Sequence, residues 1–80
     1  MADEIDRWDP EPVYLQLAAI LRAMIEFGEI GPDRPLPAVK SLVQRYGVAQ
    51  GTAEKAVRVL KEEGLVRTIR GKGIYTLPDG

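Results

Sequence analysis

The reactive side chains of this sequence are almost all charged. It holds eleven Lys and Arg and twelve Asp and Glu, but no histidine and no cysteine. Without thiols there is no disulfide framework and no thiolate zinc site. Without imidazoles as well, transition-metal sites and the usual nucleophile–base pairs are nearly excluded. Paired carboxylates do acid–base work only in a dry, shaped pocket that splits their pKa values. The acidic leader that opens with Met1-Ala2-Asp3-Glu4 is polar and offers none. Gly71-Lys72-Gly73 lacks both the preceding spacing and the following Ser or Thr of a nucleotide-binding loop. No catalytic residue, cofactor or metal is therefore expected. What remains is ionic and hydrogen-bonding chemistry, for which phosphate is the natural counterpart of clustered Lys and Arg.

The charges are unevenly placed. Residues 1–33 carry eight acidic against two basic side chains, and residues 34–73 carry nine basic against three acidic. A chain of net charge −1 can thus still present a basic face. A mixed, solvated surface gives the same split, so charge alone leaves both readings open.

The basic half must be positioned by local elements, and the sequence marks them. Eighty residues make one domain. Residues 1–12, acidic and interrupted by Pro10 and Pro12, read as a flexible lead-in. From Val13 to Phe27, Tyr14, Leu17, Ala18, Leu21, Met24 and Ile25 repeat at helical spacing. Val13, Ile20 and Phe27 widen that apolar face, and Leu15, Ala19, Arg22 and Glu26 lie opposite. Gly31-Pro32-Asp33-Arg34-Pro35 is a turn by composition, with Arg34-Pro35-Leu36 able to form a short edge strand. Pro37 suits a helix start, and Val39, Leu42, Val43 and Tyr46 form a core stripe that Gly47 ends. Lys40 and Arg45 face outward. A further helix over about residues 50–63 buries Ala53, Ala56, Val57 and Leu60 and turns Gly51, Glu54, Lys55 and Arg58 outward. Glu62-Glu63 at its end reads as solvated, being unfavourable beside the helix carboxyl terminus. Two strands, Leu65–Arg70 and Ile74–Leu77, flank the Gly71-Lys72-Gly73 turn. The fold class is mainly α with a small β-hairpin (α+β). Two helices joined by a short Gly turn, then a hairpin, spell a winged helix-turn-helix of three helices plus a wing over residues 13–77, with a tail at 78–80.

The order of specific residues goes further. Tyr14-Leu15-Gln16-Leu17, Leu21-Arg22, Ile25, Gly28, Pro32 and Leu36-Pro37 are followed by Leu42, Tyr46-Gly47-Val48, Thr52, Lys55-Ala56, Leu60, Glu63-Gly64-Leu65-Val66 and Gly71-Lys72-Gly73-Ile74-Tyr75. With no insertion over about residues 13–76, this series resembles the N-terminal DNA-binding domain of the GntR family of bacterial transcription regulators. The resemblance implies sequence-specific binding of double-stranded DNA, with residues 50–63 in the major groove and the wing beside them. Members of the family usually join this module to a C-terminal effector-binding and dimerisation domain; the sequence is either one domain of a longer regulator or a small stand-alone one, and no small-molecule effector site is visible in it. A homodimer on a palindromic operator is expected.

Carried onto this sequence, the expected contacts are Lys40, Arg45, Gln50, Gly51, Thr52, Glu54, Lys55 and Arg58, with Arg70, Gly71, Lys72 and Gly73 at the wing. Several depart from the family pattern. Ala38 replaces a Ser cap, and Lys40 keeps the charge of an Arg but not its bidentate fork. Ala49 cannot cap the third helix. Gln50 and Glu54 stand where Arg commonly meets DNA. Arg suits the guanine O6/N7 edge, whereas Gln can pair with adenine N6/N7 and Glu can accept from cytosine N4. The target then differs from that of typical members, while Glu54 near a phosphate would repel it. Gly51 either lets backbone approach DNA or simply weakens the helix start. Thr52 either donates to phosphate or packs the helix.

The rival reading is a winged-helix protein-interaction module with weak or no DNA binding, in which Trp8 and the acidic lead-in form a partner-binding arm. The N-terminus is unlike a signal peptide, and no apolar run approaches about 18 residues. A soluble cytoplasmic protein with no membrane contact is expected.

Overall fold

A computed structural model describes residues 4–31 and 34–77. The tail at 78–80, residues 1–3 of the lead-in and Pro32-Asp33 of the first turn lie outside the described residues. The elements run α1 (Val13–Glu26), α2 (Val39–Tyr46), α3 (Gln50–Glu62), β1 (Val66–Ile69) and β2 (Gly73–Thr76). This is the three-helix winged helix-turn-helix that the sequence spells.

Each helix buries the stripe its periodicity predicts. Leu17, Ala18, Ile20 and Leu21 are buried on α1, Leu42 on α2, and Ala53, Ala56, Val57 and Leu60 on α3. With Ile30, Leu36, Val48 and Val66 they close one core, except Ile20, which is buried outside that cluster. The alanines of α3 let α1 approach it closely, and α1 packs chiefly there. Burying each leucine contributes about 1.5–3 kcal/mol. Phe27, expected to widen the apolar face of α1, is instead 79% exposed. It is the C-cap residue of α1, beyond the last turn whose side chains point at α3.

The helices stop for local reasons. The Gly28 N–H donates to the Ile25 carbonyl at 3.2 Å and the Glu29 N–H to the Met24 carbonyl at 2.9 Å. At the end of α3 the Gly64 and Leu65 N–H groups repeat that pattern onto Lys61 and Leu60. These paired bonds satisfy carbonyls that a helix end would otherwise leave open. Gly47 closes α2 at φ 65°, a left-handed conformation that costs other residues roughly 1–2 kcal/mol. Ala38 and Ala49 stand at the N-caps of α2 and α3, and neither helix has a side-chain cap bond.

Pro37 sits ahead of α2 rather than in its first turn, because Ala38 is still extended at ψ 157°. Its effect falls on Leu36, which a following proline restricts to extended backbone. Leu36 uses that shape to donate its N–H to the Ile74 carbonyl at 2.7 Å, and Pro35 bridges Tyr75. The segment before α2 thereby lies along β2 as the expected edge strand. The wing itself pairs Val66 with Thr76 and Ile69 with Gly73. Its turn is closed by the Lys72 N–H donating to the Ile69 carbonyl at 2.9 Å, with Gly71 at φ 78° supplying the positive angle there.

Residues 4–12 lie against the helices. The Gln16 amide donates to the carbonyls of Asp6 (2.9 Å) and Glu11 (2.8 Å), and its oxygen accepts from the Asp6 N–H at 2.8 Å. Ile5 packs on the core, and the Arg7 guanidinium donates to the Gly47 carbonyl across forty residues of sequence. A cation at the carboxyl end of α2 complements the helix dipole. Trp8 stays 95% exposed.

Candidate nucleic-acid interface

The outer side of α3 follows from its inner side. Because Ala53, Ala56, Val57 and Leu60 are buried, Gln50, Gly51, Glu54, Lys55, Arg58, Lys61 and Glu62 are exposed. A shallow concavity of about 290 Å³ runs between α2, α3 and the wing. Its walls are Val39, Glu54, Val57, Arg58, Lys61 and Ile74. Glu54 and Arg58 are thus brought to one surface as expected. Lys61 joins them without having been singled out in the sequence, although its spacing, three beyond Arg58 and seven beyond Glu54, puts it on the same helical stripe. Arg70, Gly71, Lys72 and Gly73 form the exposed tip of the hairpin, beyond this wall.

Lys40 is exposed in the first turn of α2. Arg45 lies away from the concavity beside α3, in a second depression of about 310 Å³ with Glu4, Ile5, Arg7 and Tyr46. Its guanidinium carbon stands 5.5 Å from the Tyr46 ring centre. The docked lead-in thus sets a second arginine, Arg7, next to Arg45. No local pattern could announce that, since the contact spans all of α1 and α2.

The cations of α3 are held differently from one another. The Lys55 ammonium lies 4.9 Å over the Tyr14 ring of α1, a contact worth about 0.5–1 kcal/mol at an exposed site. Among the described residues no carboxylate lies within ion-pair reach of Lys55 or Arg58. The ion pair instead joins Arg22 to Glu63, with Arg22 donating at 2.9 and 2.7 Å to the two carboxylate oxygens. Glu63 is therefore not simply solvated, and the outward Arg22 of α1 reaches the end of α3. The hydrogen bond that Arg22 donates to Glu63 is the main reason that the Arg22 pKa is raised, and partial burial opposes it. Exposed pairs of this kind contribute about 0.2–1 kcal/mol.

At the start of α3 the Gln50 amide donates to the Glu54 carboxylate at 3.1 Å. Thr52 is half-buried, and Gly51 is exposed. A Cβ built at Gly51 meets nothing within 4 Å, so packing within the protein does not require glycine there. Gly51→Ala is expected to raise the stability of the free protein by up to about 1 kcal/mol, measured by denaturant unfolding. A gain in stability joined to weaker duplex binding marks close backbone approach as the use of this glycine. Unchanged binding removes that use.

Among the described residues no group of His, Cys, Asp or Glu is placed to hold a metal, and no helix is long and apolar enough to cross a membrane. The arrangement offers a cationic helix face, a neighbouring basic hairpin tip and a few hydrogen-bonding side chains between them.

Comparison with known proteins gives this arrangement its family. Residues 13–76 match the family described as bacterial regulatory proteins, gntR family. The chain is 32% identical over 71 residues, 89% of its length, to the HTH-type transcriptional repressor NagR of Bacillus subtilis. It spans only 29% of NagR. Among solved structures, the AraR DNA-binding domain in complex with operator ORE1 superposes with a TM-score of 0.80 at 29% identity, covering 90% of this chain and 88% of that one. YtrA from Sulfolobus acidocaldarius, a GntR-family transcription factor, superposes with a TM-score of 0.88 at 26% identity, covering 100% and 84%. With the family matched over residues 13–76 and its fold reproduced element by element, the chain belongs to the GntR family and carries the winged helix-turn-helix DNA-binding domain of its transcription regulators.

Proposed function

We propose that this domain reads a double-stranded operator by laying α3 in the major groove and setting the wing tip on the neighbouring backbone. The observation that carries this reading is the likeness to the AraR domain bound to operator DNA over 90% of the chain. Lys40, Arg45, Lys55 and Arg58 meet phosphates and fix orientation. Gln50, Thr52 and Glu54 lie at the end of α3 that faces base edges and nearby backbone. Arg70 to Gly73 contact the backbone or the narrow groove beside it. Lys61 stands on the same wall beside Arg58. Two copies bind a palindromic site, since one small module alone binds weakly. The setting is the bacterial cytoplasm, and no catalytic step or effector site is assigned to residues 13–77.

An NMR titration with random-sequence duplex tests this. Shifts are expected at residues 40–58 and 70–73. Shifts confined to residues 1–15, or none at all, would favour a protein-docking module in place of a DNA reader.

A further inference from the structure

The hydrogen bond between Gln50 and Glu54 fixes what the first turn of α3 can say to a base. A glutamine amide is two-faced: one end accepts, the other donates. Left free, it could turn either end outward. Here the Nε2 end faces the Glu54 carboxylate at 3.1 Å, because the reverse orientation would set two acceptor oxygens against each other. Glu54 sits one helical turn after Gln50, and both side chains are exposed. Among the described residues no cation pairs with Glu54, so the carboxylate is not drawn away from this task.

We infer that Glu54 is a positioning residue that presets Gln50 to read adenine. This rests on α3 entering the major groove. Adenine reading requires that Glu54 take the amide hydrogen anti to Oε1, so that the remaining hydrogen and Oε1 lie side by side on one edge. That edge offers one donor and one acceptor. Adenine presents the complement, the N7 acceptor and the N6 amino donor. Guanine presents two acceptors, O6 and N7, so its O6 meets Oε1 and the neighbouring carboxylate potential. Cytosine satisfies only the acceptor, through N4, and thymine only the donor, through O4. The pair therefore converts a position where arginine would select guanine into one that selects adenine and rejects guanine.

The test starts from duplexes selected from a random pool by the full chain. The adenine expected in the motif is replaced by 7-deazaadenine, which removes N7 and keeps Watson–Crick pairing. The unmodified protein should lose about tenfold in affinity. Q50A should show no further loss on that replacement. E54A should shrink the penalty several-fold, whereas E54Q, which keeps an acceptor oxygen facing the amide, should retain it. Far-UV circular dichroism verifies that these exposed substitutions leave the helices intact. Selected motifs that carry guanine where adenine is expected, or a penalty that persists in Q50A, would overturn adenine reading. A full penalty in E54A would overturn the positioning role of Glu54. A protein that selects no duplex fails the underlying function, a result distinct from all of these.

Discussion

Raising monovalent salt from about 50 to about 200 mM is expected to weaken duplex binding roughly a thousandfold. The expectation follows from the cations at Lys40, Arg45, Lys55, Arg58, Arg70 and Lys72. Each phosphate they neutralise releases condensed counterions, at about 0.9 per contact in the slope of log affinity against log salt. Engaging all of them gives a slope near −5. They are available for this because the ion pair among the described residues uses other side chains, Arg22 and Glu63. The contact of Lys55 with Tyr14 does not neutralise its charge, since an aromatic ring carries none. Glu54 and Glu62 share the exposed side of α3 and pull the other way, which keeps the slope from being steeper still. Duplex titrations at several salt concentrations measure it. A flat line removes DNA as the partner, because base contacts alone do not hold a module of this size on a polyanion.

Leu60→Ala should cost about 2–5 kcal/mol of folding stability. Leu60 is fully buried on α3, and its carbonyl also takes the Leu65 N–H that ends the helix. Small domains hold roughly 5–15 kcal/mol in total, and short chains sit at the low end. The variant is therefore expected to be largely unfolded near 37 °C, and with it the side chains that α3 presents. Denaturant unfolding followed by circular dichroism gives the number. Phe27→Ala is the contrasting substitution, at 79% exposure, and should shift stability by less than about 0.5 kcal/mol. A Leu60→Ala loss under about 1 kcal/mol would mean that the packing of α1 on α3 does not hold the fold together.

What could be read in advance was what local spacing encodes. The stripes Val39, Leu42, Val43, Tyr46 and Ala53, Ala56, Val57, Leu60 each state a helix and its buried side. Gly47 and Gly64 state where those helices stop, and Pro37 makes Leu36 extended. The wing was legible for the same reason, as β-branched runs around Gly71-Lys72-Gly73. Phe27 escapes this reading because periodicity counts residues and does not see that the helix has ended. The contacts that shape the exposed surface are of another kind. Arg22 with Glu63, Lys55 with Tyr14, and Arg7 with Gly47 each join distant parts of the chain. No period or motif records such pairings, and they arise only once α1 has docked. Gln50 with Glu54 lies between these cases. Its spacing of four is visible in the sequence, but the direction of the amide is a matter of geometry.

Trp8, the single tryptophan of the chain, is 95% exposed, and this bears on how the molecule can be watched. An indole already bathed in water emits at nearly the same wavelength before and after melting. Intrinsic tryptophan fluorescence is thus almost blind to loss of the core, and a flat emission trace would mimic an unmeltable protein. The same indole, hung on a short tether beside Gln16, is a free handle for an anisotropy signal that reports whether the leader has let go.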